Sequence, residues 1–178
     1  MKNNIFGGAK SPFFLLSMKL IYLSILILLT SCTYSVYSGR FPNLKTIKIE
    51  KFENKTTKYE IDDEVLNSLS ASFISDGRLK VVNRNPDSVL QGKILKYKNE
   101  VHSYEDVTVT QYQLKITFSV KFMNLKKEEK IWEDESLTLN KIYSLGESAD
   151  LTEAETNAAK EIYKDLFDKI LSNSLEEW

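Results

Sequence analysis

One thiol, one imidazole, two acidic clusters and a set of lysines are the side chains that could do chemistry in this 178-residue chain. The thiol, Cys32, sits three residues beyond an apolar run and is the only one, so neither an internal disulfide nor a cysteine-based zinc cluster can form. His102 is likewise alone, and a site needing two imidazoles is excluded. No glycine-rich phosphate loop or serine nucleophile relay accompanies it, and a lone histidine near a strand end reads as a surface residue. Asp62-Asp63 and Glu133-Asp134-Glu135 could supply a general acid and base. The first pair opens a helix, where carboxylates favour the dipole, and the second cluster lies on a solvated strand. No catalytic residue and no metal are therefore expected, and the chain reads as a binding or structural protein. The cations are more suggestive. Lys93, Lys96 and Lys98 fall on one strand and Lys115 and Lys121 on the polar face of the next, with Arg84 following a short strand that also carries Arg78 and Lys80. If the two long strands pair, these side chains make a basic strip flanked by Tyr97 and Tyr104, able to hold the phosphates of a lipid head group. The plainer alternative is that they solvate a sheet face and blunt its edges.

Cys32 takes its meaning from what precedes it. Lys2, Lys10 and Lys19 stand ahead of Leu20 to Leu29 (LIYLSILILL), which is shorter than the roughly 20 residues a membrane-spanning helix needs. Extending the run back through Phe13 to Leu16 would make an uncleaved anchor, but Lys19 interrupts it, and Met18 could be the true start. Charge followed by an apolar run is the layout of a secretory signal. Its end, Leu29-Thr30-Ser31-Cys32, resembles the bacterial lipoprotein signal. That resemblance implies S-diacylglycerol on the Cys32 thiol, cleavage before Cys32 and N-acylation of the new terminus. Three acyl chains hold a protein on a membrane firmly without spanning it. Thr33, where enteric bacteria use Asp to retain a lipoprotein inside, favours the outer membrane, with the protein facing the periplasm. The expected organisation is a signal peptide over 1–31, a lipidated tether over 32–43 and one α+β domain over 44–178. No cofactor beyond the covalent lipid is expected. The net charge of −1 includes three lysines and no acid before Cys32, so the rest is more acidic still and no nucleic acid is expected as a partner.

Periodicity then supplies the elements that must position these groups. Leu44 to Phe52 alternates and reads as a strand. From Tyr59 to Ser75 the residues Ile61, Val65, Leu69 and Phe73 recur every fourth position, predicting an amphipathic helix ended by Gly77. Leu79 to Val82 is a short strand and Asn83 to Asp87 a turn. Val89 to His102 reads as a long strand with poor alternation, suggesting a bulge or twist around Gly92. Thr108 to Phe122 alternates cleanly, with Tyr112, Leu114, Ile116, Phe118, Val120 and Phe122 on one face against Gln113, Lys115, Thr117, Ser119 and Lys121 on the other. A charged turn, Asn124 to Lys130, leads to a strand over Ile131 to Tyr143. Thr152, with Glu155 three residues on, reads as a capping box for a last helix burying Ala158, Ile162, Leu166, Phe167 and Ile170. The order β-α-β-β-β-β-α predicts an α+β two-layer sandwich, two helices on one face of a mostly antiparallel sheet.

Read as an ordered series, these segments resemble the lipopolysaccharide-assembly lipoproteins, the LptE-like family. Cys32-Thr33-Tyr34-Ser35 with Gly39 is similar to the family's opening. Ile47 to Thr56 (IKIEKFENKT) is similar to its first strand and Phe-x-Asn-x-Thr loop. Asp76-Gly77-Arg78-Leu79 followed by Val81-Val82 resembles its helix exit, and Leu90-Gln91-Gly92-Lys93-Ile94 its glycine-bearing strand. Tyr112 to Phe122, Trp132-Glu133 and the helix ending at Trp178 complete the series, while Asp87-Ser88-Val89 departs from the family's more usual Ala-Asp. The resemblance implies an outer-membrane lipoprotein that pairs with the large lipopolysaccharide-transport barrel, LptD, supports its assembly from within the lumen, and helps pass lipopolysaccharide to the surface. It also implies basic lipopolysaccharide contacts, for which Lys93, Lys96, Lys98, Lys115, Lys121 and Arg84 are the candidates. The alternative is a free-standing outer-membrane lipoprotein of a secretion or cell-wall-associated assembly.

Overall fold

Along β5 (Thr108–Asn124) the even residues from Leu114 to Phe122 are fully buried while the odd ones between them stay partly exposed, so one face of the strand is dry and the other wet. The computed structural model describes residues 44–105, 108–144 and 150–175. In chain order it contains β1 (Thr46–Ile49), β2 (Glu53–Asn54), α1 (Ile61–Asp76), β3 (Lys80–Val81), β4 (Ser88–Glu105), β5, β6 (Glu129–Ser144) and α2 (Leu151–Ser174). The strands form one sheet in the order β3-β1-β4-β5-β6, with β2 pairing β4 beyond the end of β1. The β4-β5-β6 meander is antiparallel, and β1 runs parallel to both β3 and β4. This is the expected α+β fold, with the expected order of strands and helices.

Both helices supply the other half of the core. α1 buries Ile61, Val65, Leu69 and Phe73, and α2 buries Ala158, Ile162, Leu166, Phe167 and Ile170 among others. Each large apolar side chain so buried is worth about 1.5–3 kcal/mol. Phe73 meets Phe167 edge-on at 4.9 Å between ring centroids, tying the two helices together. α1 stops as expected: Gly77, at φ 73°, takes the left-handed conformation and its N–H reaches the Phe73 carbonyl at 3.1 Å. Among the described residues no helix is long and apolar enough to cross a membrane.

Three local expectations need correction. The first strand is two, because after Glu50, whose N–H still reaches the Leu90 carbonyl at 2.9 Å, the chain leaves the ladder and turns Phe52 into the core, where it is 1% exposed. Gly92 is not the bulge. A Cβ there would lie 2.4 Å from Cε2 of the Phe52 ring, so the glycine is needed for close approach. The nearest bulge is three residues on, at Leu95, the extra residue between the pairs Ile94↔Phe118 and Lys96↔Thr117. Finally, the cap of α2 is Asp150, whose Oδ1 accepts from the Thr152 N–H at 3.0 Å. Glu155 is thereby free to point at the sheet.

Candidate functional site

The bulge at Leu95 decides which lysines share a face. In a regular strand Lys93 would point opposite to Lys96 and Lys98. The extra residue reverses the alternation, so Lys93 stands across from Ser119, Lys96 from Thr117 and Lys98 from Lys115, all on the face of the sheet away from the helices. Lys121 lies on the same face, between Gln91 of β4 and Glu133 of β6. Five of the six candidate cations thus come together as one strip. Arg84 does not; it is exposed in the loop between β3 and β4.

Within the strip the charges are unevenly compensated. Lys98 directly faces Lys115, a like-charge pairing that costs stability, and Glu100 relieves it from 3.5 Å and 3.7 Å. Lys93 stands 3.6 Å from Glu53. Lys96 and Lys121 make no ion pair among the described residues. Exposed pairs of this kind contribute at most about 1 kcal/mol, so an incoming phosphate can displace them at little cost. Along Lys96, Lys98 and Lys115 the surface is therefore a row of cations with Thr117 beside them, suited to holding anions.

Tyr97, expected to flank the strip, faces the other way. Its hydroxyl donates to Glu155 at 2.5 Å, beneath the start of α2. Asn99 donates to the same carboxylate at 2.7 Å, and the Lys58 ammonium reaches it at 2.9 Å while lying 5.2 Å from the centre of the Tyr97 ring. Burial opposes the charge on Glu155, but the Tyr97, Lys58 and Asn99 hydrogen bonds outweigh it and hold the carboxyl below its ordinary value. Sequence spacing missed this cluster, because its members are brought from a loop, a strand and a helix. The Glu155 carboxylate is engaged by all three donors, Asn99 Oδ1 stays buried without a hydrogen-bond partner, and the cluster fastens α2 to the sheet. Tyr104 is exposed near the end of β4, as is His102.

Of the acidic candidates, Asp62, Asp63 and Glu133 are engaged by lysines. Asp62 and Asp63, in the first turn of α1, both pair with Lys51, at 2.8 Å and 2.9 Å. Glu133 pairs with Lys130 in β6. Among the described residues no group of three or more potential metal ligands comes together. Cys32 lies outside the described residues.

The model of the LptE family, described as lipopolysaccharide-assembly, matches residues 44–174. No curated protein sequence matches. Among solved structures, the hypothetical protein CT253 from Chlamydia trachomatis superposes with a TM-score of 0.55 at 10% identity, covering 73% of this chain and 97% of that one. Protein XCC0632 from Xanthomonas campestris gives a TM-score of 0.53 at 11% identity, with 73% and 85% covered. These two similarities support the fold alone.

Proposed function

Because this chain belongs to the LptE family of lipopolysaccharide-assembly proteins, we propose that it is a lipoprotein subunit of the outer-membrane lipopolysaccharide translocon. In this reading Cys32 carries the diacylglycerol and N-acyl lipid, the folded body faces the periplasm, and an LptD-type β-barrel is its partner. The body supports and plugs that barrel, and the helix-free face of the sheet handles the anionic part of lipopolysaccharide as it passes. The observation that carries the reading is the family match over nearly all of the described fold. The strip of Lys93, Lys96, Lys98, Lys115 and Lys121 on one face supports the ligand half of it. No reaction is involved.

Affinity isolation of the lipidated protein from outer membranes in mild detergent, with mass spectrometry of what accompanies it, tests the partner. A single large β-barrel at near-equal amount is the expected result; recovery of the protein alone, or of cell-wall material, would return it to the free-standing alternative. The ligand half has its own test. Replacing Lys96, Lys98 and Lys115 together by Gln should weaken lipopolysaccharide binding at least about tenfold, since each charge-assisted contact is worth about 1.5–3 kcal/mol. The thermal midpoint should stay close to that of the unsubstituted protein, because these side chains lie on the wet face. An unchanged affinity would remove the strip from the reading.

A further inference from the structure

The sheet's wet face is interrupted at one level by two irregularities. On one side of β5, the extra residue Leu95 breaks the β4 ladder between Phe118 and Thr117. On the other, the β6 ladder jumps from Leu137 opposite Phe118 to Asp134 opposite Val120, so that Glu135 and Ser136 together face Ser119. Paired bulges re-aim side chains and bend the strands that carry them. Here they flank the same short stretch of the central strand, and the surface between them is concave: a cavity of about 490 Å³ whose lining includes Lys93, Leu95, Ser119, Lys121, Glu133 and Glu135.

The charges lining this dimple are of both signs and are largely unspent on one another. Lys121 and Glu133 are cross-strand neighbours, yet Glu133 makes its ion pair with Lys130 and Lys93 turns to Glu53. Lys121 and Glu135 make no ion pair among the described residues. Leu95 supplies an apolar wall and Ser119 a hydroxyl, while the space left by Gly92 lies on the opposite face, where the Phe52 ring fills it. A purely anionic ligand would leave Glu135 and Glu133 facing its charge, and like charges disfavour it.

We propose that this double-bulge dimple is a binding site for a zwitterionic phosphate–amine group of the phosphoethanolamine type, its phosphate on Lys121 and its ammonium on Glu135. The complementarity is that of one cation and one carboxylate set side by side on adjacent strands, matching a phosphate and an ammonium joined by two carbons. The site is separate from the run of Lys96, Lys98 and Lys115, and it stands whether or not that run binds lipopolysaccharide.

The full-length lipidated protein in detergent, titrated with glycerophosphoethanolamine and followed by amide chemical shifts at Gly92 and Ser119, tests it. Glycerol 3-phosphate and ethanolamine should each bind at least about tenfold more weakly than the intact zwitterion. Lys121→Gln and Glu135→Gln should each cost a similar factor, as expected for loss of one charge-assisted contact. The Lys96, Lys98 and Lys115 triple replacement should leave this titration unchanged, which separates its failure from failure of the lipopolysaccharide reading. Short-chain phosphatidylethanolamine and lipopolysaccharide with and without phosphoethanolamine then identify which source carries the group. Equal binding of glycerol 3-phosphate and glycerophosphoethanolamine, or indifference to Glu135→Gln, would overturn the proposal, as would the absence of any shift.

Discussion

Asp87 accepts hydrogen bonds from the backbone N–H groups of Lys45 and Thr46, at 2.8 Å and 3.0 Å, and pairs with the Lys126 ammonium at 2.7 Å. The Lys126 bond first, and then these backbone donors against the opposing effect of burial, lower its pKa from 3.8 to about 2. A carboxyl depressed by folding contributes stability that is fully present above its unfolded pKa and is lost as the pH falls through the folded one. Asp87 should therefore add about 2 kcal/mol at neutral pH, fading between about pH 4 and pH 2. Asp87→Asn should lower the denaturation free energy by about that amount at pH 7 and flatten the acid limb of the stability curve; urea titrations at several pH values would read both. Sequence alone placed Asp87 in a turn beside Pro86 and could go no further, because its partners are some 40 positions away on either side. Long-range partners also hid the role of Glu155. The lysines were more legible. Lys115 and Lys121 follow from strict alternation, whereas the common face of Lys93 with Lys96 depends on a bulge whose exact residue no local pattern specifies.

Elements were read well where the apolar period was long and clean, in β5 and in both helices, and less well where tertiary contact overrides it. The break between β1 and β2 is set by Phe52 finding a place over Gly92, a contact between residues 40 apart. That contact makes a direct prediction. Gly92→Ala drives a methyl into a buried ring, and overpacking of this kind costs about 1–3 kcal/mol. The denaturation midpoint should fall accordingly, and Phe52→Leu in the Gly92→Ala background should recover part of the loss by making room. Gly92 and Gly77 thus serve opposite ends. One is glycine because nothing else fits in the space, the other because its backbone lies at φ 73° with open space around it.

For the whole molecule, the α+β class and the order of its elements were legible because each amphipathic segment has one dry face and those faces can only meet in two layers. The identity of the family rested on the series of short motifs taken together, since each alone is only a strand or a loop. The tether could be read only as an address. If Cys32 is the anchor, Cys32→Ala should move the protein from the membrane fraction to the soluble one and remove the acyl mass, as fractionation and intact-mass measurement would show. Such an anchor would also make the fold a mechanical object. Traction applied to the N-terminal end of β1 acts on a strand seated between β3 and β4 and held at its root by the Asp87 carboxylate. Pulled along its length, a strand in that seat is loaded in shear and must rupture two parallel ladders together, where an edge strand would peel away one bond at a time. The short first strand is in the position where it resists traction best.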